Sequence, residues 1–294
     1  MRKSVLLLIG VLIVFIFLGI LMMQSLVVVQ RIASVSDVVG DVYVQARGES
    51  DFRALGATEH VLAGSTVKTT ADSAVTLNWV DGSRIRLGPE TSINVRKCSL
   101  NTSTKETTSL FDLDAGRVWV RVLTMLRGKS KFEIRTPTAT AGVRGTVFYV
   151  EVADAGETTV AVYEGAVSVE AEEVATTVRP QQQAIAAEGS APTVMPAVGD
   201  LAWEQHQGII GPRLDLDIGP EVTVAADQST LTVSGVAEPG AKVTINGSPV
   251  ELDPMNRFAA EVPIGAAPDG MLVVSATDVR GHATVRAIAV TRGA

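Results

Sequence analysis

Three histidines, one cysteine, two close pairs of aspartates and one glycine-rich turn are the places where this chain could do chemistry. His60, His206 and His282 lie far apart, and none stands at ligand spacing from a Cys, another His or a carboxylate. A metal centre needs several such ligands converging, so no metal site is expected. Cys98 has no partner for an intrachain disulfide and reads as a strand-end residue rather than a reactive thiol. Asp112/Asp114 in "FDLDAG" and Asp215/Asp217 in "LDLDIG" each put two carboxylates on one face of a strand. Calcium uses such oxygens, but no further ligands follow at loop spacing, so both pairs read as solvated strand faces. Neither G-x-S-x-G nor H-E-x-x-H occurs. The expectation is no catalytic residue, no cofactor and no enzyme activity.

The glycine-rich turn is "TPTATAGVRGT" at 136–146, which runs into the apolar "VFYVEV". A phosphate-cradling loop needs G-x-x-x-x-G-K-[ST] opening a helix, with backbone N–H groups around the phosphates and a Lys to neutralise them. Here the glycines are three apart, no Lys follows, and a strand comes next, so no helix N-terminus faces an anion. Backbone demand explains the segment better. Gly142 and Gly145 bracket a turn that needs positive φ or close backbone approach. Thr146 opens the buried strand, and Arg144 is a salt-bridge staple across the corner or, second, a ligand contact.

The elements around these residues are strands. Val75, Leu77 and Trp79 alternate with polar residues up to Asp81-Gly82, a tight-hairpin signal, and Ile85 and Leu87 alternate on the way back. A G-x-V-x-V echo begins at Gly40, Gly116 and Gly165 without a fixed period, so the three read as equivalent corners of one β domain. From 180 to about 220 the alternation stops and Pro, Ala, Gln and Gly dominate, which reads as an extended linker. Trp203 inside it is expected to pack against a domain. From 221 onward short alternating runs and turns, among them Asn246-Gly247, fit a small Ig-like sandwich.

Ahead of all this, residues 5–23 form an uncharged apolar run about 28 Å long as a helix, enough for a bilayer core. It exceeds a signal-peptide core and no A-x-A-like site follows, so an uncleaved anchor is expected, with a cleaved signal as the alternative. Arg2 and Lys3 place the short N-terminus in the cytoplasm and the bulk of the chain outside. The formal charge of −7 advertises no nucleic-acid surface.

The stretch "FEIRTPTATAGVRGTVFYVEV", followed by "TTVAVYEGAVSVE", resembles the signature of FecR-type domains. Gly142, Arg144, Gly145, Thr146, Glu164 and Gly165 fall in or beside the signature places, and the resemblance spans residues 34–179. It implies a β domain outside the cytoplasmic membrane. The segment beginning "VSGVAEPGAKVTING" resembles bacterial Ig-like domains of the glucodextranase B type, which serve as spacers or weak binding units. The best-known FecR-type proteins regulate extracytoplasmic-function sigma factors through a sizeable cytoplasmic domain. This chain offers only residues 1–4 before its apolar run.

The expected organisation is therefore mainly β: a cytoplasmic stub and transmembrane helix (1–30), a FecR-type β domain (31–179), a linker (180–220) and an Ig-like β-sandwich (221–294). The expected protein is single-pass in the cytoplasmic membrane, facing the periplasm or exterior, and is a non-enzymatic binding or scaffold module. Its expected partners are envelope or membrane proteins and, second, cell-wall polysaccharide, with no nucleic acid. The alternative is a periplasmic sensor component acting through a separate membrane partner.

Overall fold

Period-two alternation folds as the pleat dictates. In Lys131–Arg135 the residues Phe132 and Ile134 are buried while Lys131 and Arg135 face solvent. The computed structural model describes residues 28–123, 129–143, 145–198, 207–264, 270–279 and 281–293 of the 294-residue protein. The apolar run 5–23, Arg144, Trp203 and His206 lie outside the described residues. Among the described residues no helix is long and apolar enough to cross a membrane, and the architecture is mainly β.

The first module closes into a barrel whose ladders fall into two runs. One run places Val42–Gln45, Thr66–Thr69, Ser92–Asn101, the first part of Thr107–Arg121, Lys131–Arg135, Thr140–Val143, Val167–Ala171 and Val174–Val178 side by side. The other runs through His60–Val61, Ala33–Val39, Ala74–Asn78, Arg84–Leu87, the second part of Thr107–Arg121, Val147–Val152, Thr158–Glu164, Gln182–Ala186 and Thr193–Pro196. One apolar core built from both runs fills the space between them, with Leu77, Ile85, Phe111, Leu113, Ile134, Phe148 and Val160 essentially without solvent contact.

The chain switches from one run to the other at glycines. Gly40, Gly116 and Gly165 have φ of +66°, +79° and +85°, so all three G-x-V-x-V corners turn through the left-handed region that side chains avoid. Gly116 does so in the middle of Thr107–Arg121, which lends its first part to one run and its last six residues to the other.

The second module stacks two sheets on a separate core. Leu214–Leu216, Thr230–Ala237 and Arg257–Pro263 form one sheet. Glu221–Val224, Ala283–Arg292, Met271–Thr277, Lys242–Ile245 and Ser248–Val250 form the other. Val233, Val243, Leu272, Val274 and Ile288 fill the space between. Asn246 and Gly247 take φ of +47° and +81° at the expected tight hairpin, as primed two-residue turns require.

The stretch 180–220, read from composition as an extended linker, is structured differently. Gln182–Ala186 and Thr193–Pro196 extend the barrel's second run, and Leu214–Leu216 belongs to the C-terminal module. The reason is packing: Ala184 and Ala186 are small enough to close the barrel core, and alanine carries no strand signal of its own. Between them, Gln207–Ile210 forms a single helical turn.

Candidate functional site

The middle of the second run is covered on its outer face, which sets it apart from the half-solvated sheets of many antiparallel proteins. Val147–Val152 is buried at five of six positions, hence its near-continuous apolar sequence. Its inward residues Phe148 and Val150 enter the barrel core. The outward residues Trp119, Tyr149 and Ala161 form a second cluster, closed by Ile209 from the helical turn. The Trp119 and Tyr149 rings lie 5.2 Å apart at 56°, and burial pushes the Tyr149 hydroxyl well above its ordinary pKa, with Glu151 adding to the shift. Seating Ile209 there contributes about 1.5–3 kcal/mol.

Next to this cluster the strand register lays Asn78, Arg84, Arg121, Val147 and Glu164 in one row across the sheet. Two like charges, Arg84 and Arg121, are thus neighbours, and both are almost fully buried. The C-terminal module supplies the compensation. Glu238 Oε2 accepts from Arg84 Nη2 at 3.0 Å and from Arg121 Nη1 at 3.2 Å. Arg121 Nη2 donates to Asp278 Oδ2 at 2.8 Å. The Gly211 carbonyl accepts from both guanidinium groups, and Glu238 Oε2 also accepts from the Arg213 backbone N–H. Two arginines meet two carboxylates, so the buried charge balances. Burial, reinforced by Arg121 alongside, lowers the Arg84 pKa to about 10, which leaves it protonated at neutral pH.

At the rim, His282 bridges the modules. Its Nδ1 lies 3.2 Å from Asp278 Oδ2 and its Nε2 lies 3.5 Å from Glu164 Oε2. Gly211 has to be small here: a Cβ would stand 2.6 Å from the Ala283 carbonyl oxygen. The whole arrangement holds one β module against the other through a buried, charge-paired junction.

Of the signature residues, Gly145, Thr146, Glu164 and Gly165 come together beside this row. Gly145 has φ of +68°, and a Cβ on Gly165 would stand 2.6 Å from the Gly145 carbonyl oxygen. The two corners pack back to back, and Thr146 between them is fully buried. Glu164 opposes Val147, Val162 opposes Phe148, and Tyr163 bulges outward between. Gly142 differs from expectation. It sits inside Thr140–Val143, without positive φ, and a Cβ there would meet nothing closer than 3.9 Å. The segment is strand up to Val143, so the turn begins after Gly142 rather than at it.

The aspartate pairs stay apart. Asp112 pairs with Arg96 at 3.3 Å, Asp215 pairs with Arg213, and Asp217 accepts from Ser234 Oγ at 2.8 Å. His60 is exposed on the barrel. No group of three or more metal-ligating side chains converges among the described residues. Cys98 is buried near the end of its strand, and burial raises its thiol to about 12. Sequence reasoning missed Arg84, Arg121, Glu238 and Asp278. The available signal was the two-sided burial implied by "VFYV", which demands a cover.

Residues 65–168 match the family model described as FecR protein, within the 34–179 span of the resemblance. Two crystal structures described as a "putative anti-sigma factor" of Parabacteroides distasonis are similar at 18% identity, with TM-scores of 0.38 and 0.39. Each match covers 49% of this chain and 64% or 65% of the other, so this chain spans just under two thirds of those chains. No curated protein matches the chain.

Proposed function

We propose that this is a membrane-anchored, non-enzymatic protein of the cell envelope that binds and holds partner components outside the cytoplasm, with its FecR domain and an Ig-like C-terminal module presented as one body. The junction carries the reading. The buried charges Arg84, Arg121, Glu238 and Asp278 fix the mutual placement of two modules, and a fixed placement creates a composite surface larger than either module offers alone. Docking two modules rigidly favours binding because the geometry is set before the partner arrives. The apolar run 5–23 supplies the anchor.

The FecR match favours a second reading, a sensor component that signals through a separate membrane partner. In-cell crosslinking of the full chain separates the two. Recovery of envelope-assembly or cell-wall components, lost when Arg121→Met loosens the junction, supports the holding role. Recovery of a sigma-regulating membrane protein as the main partner supports the sensor. Hydrolysis of a cell-wall polymer by the purified full chain overturns the non-enzymatic reading.

A further inference from the structure

The end of the barrel where the described chain begins carries an apolar edge. Val28 and Val29 are 57% and 51% exposed on a short strand pairing with Leu100 and Asn101. Ile32 follows at 46% exposure. Continuing the register of Ala33 with Val61 and Ser34 with Asn78 places Ile32 between Leu62 and Val80. Those two are themselves 45% and 90% exposed. Arg31 ties the edge together: its guanidinium meets Asp81 at 2.5 Å, beside Val80, and donates to Ser109 at 3.0 Å. Single exposed apolar residues are ordinary, but a contiguous row marks a contact surface.

Cations flank this row. Lys97 is exposed on Ser92–Asn101, where the register continues towards Ile32. Lys105 is exposed on the hairpin that projects past Val28, with Lys129 exposed alongside. The Lys129 backbone N–H donates to Glu106, a carboxylate set there against three lysines. In a chain of net charge −7, a lysine-flanked apolar edge is a local reversal. It matches an anionic lipid surface, where apolar side chains enter the headgroup boundary and lysines meet phosphate.

Chain length argues for the same occupant. Val28 is five residues beyond Met23, where the apolar run ends. Five residues reach at most about 18 Å fully extended, so the barrel end is held within a headgroup layer or two of the bilayer. We propose that this edge, Val28, Val29, Ile32, Leu62 and Val80 with Lys97, Lys105 and Lys129, rests on the anionic lipid surface of the membrane that the chain spans. The proposal rests on the anchored reading above and deepens it: the barrel lies on the membrane in a fixed orientation.

The test uses the full chain in lipid nanodiscs of zwitterionic lipid, with or without anionic phosphatidylglycerol. An environment-sensitive fluorophore is attached at Val80→Cys and, separately, at Asp154→Cys. Asp154 lies in the turn before Thr158–Glu164, the far end from Glu164, and the buried Cys98 does not compete for label. The proposal predicts a blue shift at position 80, with quenching by headgroup-region spin-labelled lipid, and neither at position 154. Both effects increase with anionic lipid, and Lys97→Glu with Lys105→Glu removes that increase. Equal quenching at the two positions overturns the proposal while leaving the anchor intact. Carbonate extraction reports on the anchor separately. If the chain washes off, a blue shift on adding anionic vesicles keeps the surface without the anchor, and no shift refutes both.

Discussion

The signature corner and the module junction sit side by side, since Arg121 opposes Val147 and Val147 opposes Glu164, yet they are held by opposite means. At the corner, two glycines let two turns approach more closely than any Cβ allows, and Thr146 is buried between them. At the junction, long charged side chains reach from one module into the other and are neutralised there. A geometric fit of this kind costs little to loosen slightly. A buried charge left without its partner costs the full desolvation of that charge. The signature glycines and Thr146 therefore shape the barrel, whereas Arg84 and Arg121, with Glu164 at the rim, hold the C-terminal module to it.

Breaking the junction should have the largest effect. Arg121→Met takes the guanidinium partner from Asp278 and one of two from Glu238 in a buried site, and should lower unfolding stability by about 3–5 kcal/mol, measured by urea denaturation. Adding Asp278→Asn should restore a large part of that loss, because the carboxylate left without Arg121 is then neutral while the Arg84–Glu238 pair stays intact. A double variant as unstable as the sum of the singles would show that the pair does not interact. Gly165→Val forces a Cβ against the Gly145 carbonyl at φ of +85°, and should cost about 1–3 kcal/mol. The comparison sharpens at Gly142→Ala, where φ is ordinary and space is open. That variant should stay within about 0.5 kcal/mol of the parent, and a loss as large as that of Gly165→Val would reassign the signature's backbone demand.

The smallest effect concerns Cys98. Its thiol is raised from 9.0 to about 12, chiefly by burial, so the folded state holds the proton more tightly than the unfolded one. The contribution is intact below about pH 9 and is lost as pH rises towards 12. Cys98→Ala should flatten the alkaline fall in stability across that window. Thiol reagents should label Cys98 in urea and not in the native protein.

What could be read from sequence follows the range of the interactions. The hairpin at Asp81-Gly82, the turn at Asn246-Gly247 and the equivalence of Gly40, Gly116 and Gly165 are local, set by a few residues' dihedral needs. The junction was not legible, because Arg84 and Glu238 are 154 residues apart and each reads by itself as an ordinary surface charge. The 180–220 stretch misled for a related reason. Its alanines enter strands only because the barrel has space for small residues, and that space is defined by chain far away in sequence. His282 meets Asp278 only four residues away, a local contact, and the fold adds Glu164 from the other module, which no spacing in the sequence announces.

The central claim is that the two modules form one body held by the Arg84–Arg121–Glu238–Asp278 junction. The most direct measurement is the distance distribution between spin labels at Asp154→Cys on the barrel and Met255→Cys on the C-terminal module, both exposed. The account predicts one narrow distribution in the parent background, broadened by Arg121→Met. A distribution already broad in the parent, and unchanged by Arg121→Met, would contradict it.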